Sequence, residues 1–291
     1  MQLGSIEAGG TKFVCAVGDE DYHTRSRQVI PTTTPKATLA AVNAYFAQFP
    51  ALKAMGIASF GPIEIRRHSP KYGYITNTPK PGWQSTDFVG AIRQQFKGPI
   101  AWTTDVNGSA YGEYVLAALS NEKIASLVYY TVGTGVGAGV VENGQFLGTM
   151  GHPEMGHVYV KRHPDDLNFK GICPFHGDCL EGLISGPTFE ARLGKPGKDV
   201  PLTDHVFDIL AYYIAQAAIQ STLTIRPNKI VFGGGVISEP LLVKVRAQFK
   251  QLLQDYVAVG PLDQYLTMPQ AKDNGSATIG NYALALKEYN R

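Results

Sequence analysis

Two hydrophobic periods alternate along the chain. Residues 3–7 and 12–17 are short runs dense in apolar side chains, the length of strands, and Gly9-Gly10 between them suits a tight turn. Over 38–49 the spacing becomes helical, with Leu39, Val42, Tyr45, Phe46 and Phe49 on one side. Residues 54–59 read as a buried strand that stops at Gly61-Pro62, and 79–83 as a loop. A helix over 87–96, a strand over 100–104 and a helix over 107–119 follow, the last with Tyr111, Tyr114, Val115 and Ala118 on one face.

The opening pattern then recurs. Residues 127–132 form a strand pattern, Gly133-Thr134-Gly135-Val136-Gly137 a loop, and 138–141 a second strand. Strand, glycine turn with threonine, strand: this is residues 3–17 in kind, a weak internal repeat with one copy per domain. A stretch rich in cysteine and histidine (157–181) comes next, then a long helix from 203 to about 223. A strand over 229–232, the triplet Gly233-Gly234-Gly235, a helix from Glu239 and a terminal helix from Ser276 complete the chain. Alternating strands and helices predict α/β layers. The first domain is expected over 1–116, with the helix at 276–291 a candidate to pack back on it, and the second over 117–275.

Composition narrows the function classes. The chain has 291 residues, about two domains' worth, and needs no disulfide staple to bury a core. A net charge of +2 with no run of five like charges gives no nucleic-acid surface. No signal peptide is read at the start, and the longest apolar run, 209–219, is interrupted by Gln216 and too short for a bilayer. Three cysteines make a disulfide framework unexpected, so the expected location is cytoplasmic. Glycine is the outlier, 32 residues against an ordinary share near 7%. Nine of the 32 are Gly9, Gly10, Gly133, Gly135, Gly137, Gly139 and Gly233 to Gly235, in the three loops or just past them, where bare backbone can approach a ligand closely.

Four groups of residues could carry chemistry. Gly9-Gly10-Thr11-Lys12 combines open backbone, a hydroxyl and an ammonium, which suits an anion, although no G-x-x-x-x-G-K-[ST] loop occurs. Asp105 ends the 100–104 strand, where a carboxylate suits either a helix N-cap or a general base. Cys173, His176 and Cys179 are spaced C-x2-H-x2-C, and with His157 they supply the four nitrogen and sulfur ligands of a closed tetrahedral zinc site. His152 or His163 replacing one of these histidines is the alternative. Glu154 and Glu181 flank that stretch and could accept hydrogen bonds from sugar hydroxyls, or serve only as surface charge.

Together these motifs resemble the ROK family of sugar kinases in the actin-like ATPase superfamily. The resemblance rests on Glu7 to Lys12, Thr104-Asp105-Val106-Asn107, Gly133 to Gly137, Glu154-Met155-Gly156-His157 and Cys173 to Glu181. It implies two ribonuclease-H-like α/β domains with a cleft between them. It also implies a homodimer that uses ATP, Mg²⁺ and a structural Zn²⁺ to phosphorylate a hexose. Asp105 would be the base. Thr104, Glu154, His157 and Glu181 would hold the sugar, and His157, Cys173, His176 and Cys179 the zinc. Gly9, Gly10, Thr11 and Lys12 with Gly133, Thr134, Gly135 and Gly137 would clasp the phosphates, and Gly233, Gly234 and Gly235 would lie near the adenosine. Glu7, where most members have aspartate, and the phrases Thr78-Pro79-Lys80-Pro81-Gly82-Trp83 and Cys173 to Cys179 are similar to the fructokinase branch. D-Fructose is therefore the expected sugar, with mannose or glucose as alternatives. A sugar-sensing repressor and a non-catalytic sugar-binding protein are the competing readings. With the first hairpin beginning at Leu3, no DNA-binding module is expected, and Asp105 with both loops argues for catalysis.

Overall fold

A computed structural model describes residues 1–148, 150–272 and 275–291. They form two compact units: Met1–Glu122, Gln145–His152 and Gln270–Arg291 in the first, Lys123–Gly144 and Pro153–Pro269 in the second. The expected division is at 116/117 and 275/276; here the chain passes between units at 122/123 and 269/270, and 145–152 belong to the first unit. No helix among the described residues is long and apolar enough to cross a membrane.

Unit 1 is built on strands β1 (Gln2–Ala8), β2 (Lys12–Gly18), β3 (Thr24–Pro31), β4 (Leu52–Ser59) and β5 (Ile100–Thr104), in the order β3-β2-β1-β4-β5. The pairs β1–β2 and β2–β3 are antiparallel; β1–β4 and β4–β5 are parallel. β3 has no strand signature in the sequence because it is an edge: only Ile30 among its residues is buried. On one face, α1 (Pro35–Phe46) and α2 (Phe88–Arg93) cover Phe13, Cys15, Val17, Met55 and Ile57. Thr34 and Asp87 cap these two helices by accepting the amides of Ala37 and Gly90.

The other face of the sheet carries the opposite parity and is lined by small residues. α3 (Asp105–Leu119) and the terminal helix α8 (Ser276–Tyr289) lie there. A Cβ on Gly56 of β4 would strike the Asn281 backbone of α8, and one on Gly112 of α3 would strike the Ser276 carbonyl. Gly280 in turn faces the Gly108 carbonyl. Backbone therefore meets backbone across both contacts, which only glycine permits. Glu113 of α3, 1% exposed, accepts the amides of Gln270 and Ala271 at 2.8 and 3.2 Å and the Ser276 hydroxyl at 2.6 Å, fixing the approach to α8. Asn281 donates to Ser5 Oγ and the Ile6 carbonyl of β1.

Unit 2 repeats the hairpin-then-parallel plan. β6 (Ser126–Val132) and β7 (Val136–Glu142) are antiparallel, β8 (Lys229–Gly233) runs parallel to β6, and β9 (Leu266–Thr267) parallel to β8. α6 (Val206–Thr224) and α7 (Glu239–Leu253) bury the apolar residues of this sheet, with Tyr130 stacked on Phe232. Short helices α4 (Leu180–Ile184) and α5 (Pro187–Leu193) follow the cysteine-rich stretch.

The glycine contacts are testable by single methyl groups. Gly112→Ala and Gly280→Ala should each lower the stability of the chain by about 1–3 kcal/mol through overpacking. Gly151→Ala, where an added Cβ meets nothing within 4 Å, should stay within about 0.5 kcal/mol of the parent. Urea unfolding of the three variants measures the contrast.

Candidate active site

In unit 1 the chemistry gathers at the carboxyl ends of β1 and β5. The turn between β1 and β2 is held by Gly9 N–H donating to the Lys12 carbonyl at 3.0 Å and by Thr32 Oγ1 donating to the Gly9 carbonyl at 2.8 Å. Gly10, Thr11 and Lys12 are exposed, and nothing lies within 4 Å of where a Cβ on Gly10 would point. The turn is thus fixed at its base and open at its tip.

Asp105 is the first residue of α3. The capping role falls to Thr104 instead, whose hydroxyl accepts the Asn107 amide at 3.2 Å. Asp105 is left half-buried, with its Oδ1 accepting the Val106 amide at 2.9 Å, a carboxylate in the first helical turn where the macrodipole favours negative charge. Asn107, two residues on, is 1% exposed, and neither atom of its side-chain amide has a hydrogen-bond partner among the described residues.

The residue that motif reading left without a role is Glu7. Alternation along β1 places Glu7 on the same face as Ser5, the face that α3 and α8 cover. Burial first, and then the nearby Asp105 carboxylate, push Glu7 up to about 7, while Arg27 and Lys12 pull the other way. Two carboxyl groups therefore share this corner. The signal available in the sequence was parity: an acidic residue on the inward side of a strand otherwise lined with small or apolar groups.

In unit 2 the turn Gly133-Thr134-Gly135 joins β6 to β7, and three segments clasp it. Gly186 N–H donates to the Gly133 carbonyl at 2.6 Å, and Glu181 Oε2 accepts the Val136 amide at 2.9 Å. Gly156 lies against the Val136 carbonyl. Glu181 thus has one oxygen committed to the turn. Glu154 is exposed, and its carbonyl accepts the His157 amide at 3.0 Å. Gly137 pairs with Thr131 inside the hairpin. Gly234 has φ +95°, a left-handed backbone that brings it against the Val132 carbonyl, whereas Gly235 is open.

His157, Cys173, His176 and Cys179 converge in unit 2, with their four donor atoms all within 4.8 Å of one another. His157 Nδ1 lies 3.8 Å from Cys173 Sγ and 3.6 Å from Cys179 Sγ, and His176 Nδ1 lies 3.8 Å from Cys173 Sγ. A tetrahedral ion with Zn–N near 2.05 Å and Zn–S near 2.3 Å has nitrogen–sulfur edges of about 3.5 Å, so the donor set fits zinc. His152 lies in unit 1 and His163 caps a short turn, so neither joins the quartet. Burial raises the Cys179 thiol to about 11. Cys15 is buried in β2, packed among apolar residues.

Two mixed sheets, each opened by a glycine hairpin and extended by parallel strands, with a carboxylate at a strand end, define the actin-like ATPase class of α/β protein. The chain belongs to the ROK family, whose pattern matches residues 3–288. It is 55% identical over 288 residues to a fructokinase of Streptococcus mutans, covering 98% of this chain and 97% of that protein. A fructokinase of Lactococcus lactis is 47% identical over 98% of this chain and 97% of its own. Among solved structures, the ROK hexokinase from Thermus thermophilus shares the fold with a TM-score of 0.79 at 23% identity, over 100% of this chain and 99% of that one. A Streptomyces griseus ROK glucokinase in complex with glucose and AMPPNP superposes with a TM-score of 0.76 at 21% identity, over 99% and 100%.

Glu7 gives a pH test. Its value in the folded chain exceeds the ordinary 4.5. Its contribution is therefore fully present below pH 4.5 and is lost as pH rises through about 7. Relative to Glu7→Gln, the parent should lose about 1–3 kcal/mol of stability between pH 4 and 8. Urea midpoints across that range measure it, and a pH-independent difference would dissolve the carboxyl pair.

Proposed function

We propose that this chain transfers the γ-phosphoryl group of ATP to the 6-hydroxyl of D-fructose, releasing D-fructose 6-phosphate and ADP. The observation that carries the sugar is the 55% identity to a fructokinase over 98% of the chain. Glucokinases of the family match at only 27–34% identity and over 53–82% of it.

Asp105 is the group that accepts the hydroxyl proton. As that proton leaves, the sugar oxygen bonds to the γ-phosphorus and the bond to the β,γ-bridging oxygen breaks, so the leaving charge goes with ADP. Such a transfer needs little covalent chemistry from the protein, which positions the reactants and stabilises charge. Gly9, Gly10, Thr11 and Lys12 and the turn Gly133-Thr134-Gly135 with Gly137 present backbone amides, a hydroxyl and an ammonium to the phosphates, where Mg²⁺ would neutralise developing charge. Gly233 to Gly235 offer a flat backbone surface to the adenosine. Thr104, Glu154, His157 and Glu181 hold the sugar hydroxyls, Glu181 through the carboxylate oxygen that does not bind the Val136 amide.

The Cys173–His176–Cys179–His157 quartet holds a structural zinc. Four protein donors close the coordination sphere and leave no position for a reacting water. The ion would therefore fix the segment that carries Glu154, His157 and Glu181. The reading includes a cytoplasmic homodimer with no nucleic-acid or membrane partner.

Two experiments bear on it. Asp105→Asn should lose about 10²–10⁴-fold in kcat with little change in the KM for fructose. Near-normal turnover, or a hexose panel in which glucose or mannose outpaces fructose, would overturn the base or the sugar respectively. Gly10→Ala adds a methyl group that meets nothing in the folded chain. It should therefore leave the melting temperature in place and raise the KM for ATP several-fold; an unchanged KM would remove this turn from the phosphate site.

A further inference from the structure

The segment that leaves His157 belongs to no sheet, yet its backbone is paired residue by alternate residue. Gln220 Nε2 donates to the Tyr159 carbonyl at 3.1 Å. Gln216 pairs in both directions with Lys161, accepting its amide at 2.8 Å and donating to its carbonyl at 3.0 Å. Tyr213 Oη accepts the His163 amide at 3.1 Å. Positions 159, 161 and 163 are one side of an extended chain; 220, 216 and 213 are one face of α6, read in reverse. A helical turn rises about 5.4 Å and two extended residues about 6.6 Å, close enough for long side chains to keep register. α6 thus acts toward this segment as a neighbouring strand would.

Beyond it lies a cluster of charge around a buried aspartate. Asp166, 5% exposed, accepts two hydrogen bonds from Arg192 at 3.0 and 2.8 Å and one from the Tyr213 hydroxyl at 2.9 Å. Arg162 donates to the carbonyls of Asp166 and Phe169 and, at 2.8 Å, to Asp178. Asp178 directly precedes Cys179. Arg192 lies over the Phe169 ring, 3.9 Å from its centroid. Two arginines balance two aspartates; Asp166 and Arg192 are the buried pair, so removing Arg192 would leave Asp166 buried without its main counter-charge, whereas Arg162 and Asp178 meet at the partly exposed side of the cluster.

We propose that Arg162, Asp166 and Tyr213 form a metal-independent brace that holds His157 and Cys179 at ligand spacing before an ion enters. They are positioning residues: none is a donor to the quartet, and each ties one end of the loop to α6 or to the other end. The proposal rests on the zinc reading above and adds that the site is preorganised by the protein rather than assembled by the ion.

The test uses the full chain. Zinc affinity is measured by competition with a chromophoric chelator for Arg162→Met, Asp166→Asn and Tyr213→Phe, the last removing a single hydroxyl in case the charge variants do not fold. Each should bind zinc about 10–100-fold more weakly, as loss of outer-shell support does. Each should also weaken the visible bands of the cobalt-substituted protein, with Arg162→Lys restoring part of both. Parent-like affinity and cobalt spectra would overturn the proposal. A second arm needs no metal. In chelator-treated parent protein, amide exchange over 158–163 and 172–182 should remain protected, and in Arg162→Met it should not. If chelation alone removes that protection, the ion builds the loop and the brace is wrong. If the parent binds no zinc at all, the metal reading fails, while the exchange comparison still decides the brace.

Discussion

Unit 1 depends on one constraint, that the backbone of α8 lies directly on the backbones of β4 and α3. Gly56, Gly112 and Gly280 are the places where a single methyl group would intrude. Once α8 is seated, Asn281 is tied to β1 and Glu113 holds the incoming chain. α3 is then fixed along its length, and so is Asp105 at its first turn. The position of the proposed base is an outcome of glycine packing about one and two helical turns away, at Gly108 and Gly112. Dispersion in such a contact is strong because nothing intervenes, and unforgiving for the same reason.

Unit 2 solves a similar problem with polar atoms. Its glycine turn is steadied by Gly156, beside His157, and by Glu181, two residues after Cys179. The segment around the quartet is held in turn by side chains of α6 and by the Arg162–Asp166–Asp178 cluster. Support passes from helix to loop to donor to turn. Several of these links are hydrogen bonds from a side chain to backbone, which fix direction as well as distance.

Much of this was readable from residue order. The hairpins around Gly9-Gly10 and Gly133 to Gly135 follow from short apolar runs broken by glycine, and the donor quartet follows from C-x2-H-x2-C spacing and one histidine upstream. Two kinds of feature were hidden. The edge strand β3 carries polar residues on both sides and lacks the apolar alternation that marks a half-buried strand. Glu7 sits inside a recognised motif, but its meeting with Asp105 depends on which side of β1 faces α3, and strand pairing settles that. Gln216 looks like an interruption of the apolar run 209–219, although in the folded chain it is a backbone partner of Lys161. Asp105 could be read from the sequence as the helix cap; the geometry of the strand end assigns that task to Thr104.

The α8 contact has a consequence for how the chain is made. The ribosome releases residues 123–269 between the two parts that unit 1 requires. At about 5–20 residues per second those residues take roughly 7–30 s to emerge. Throughout that interval β4 and α3 exist with their glycine faces uncovered, and the nascent first unit must wait as an incomplete layer. Unit 2, uninterrupted apart from 145–152, is free to close first. Unit 1, begun first, can be completed only after the whole of unit 2 has emerged.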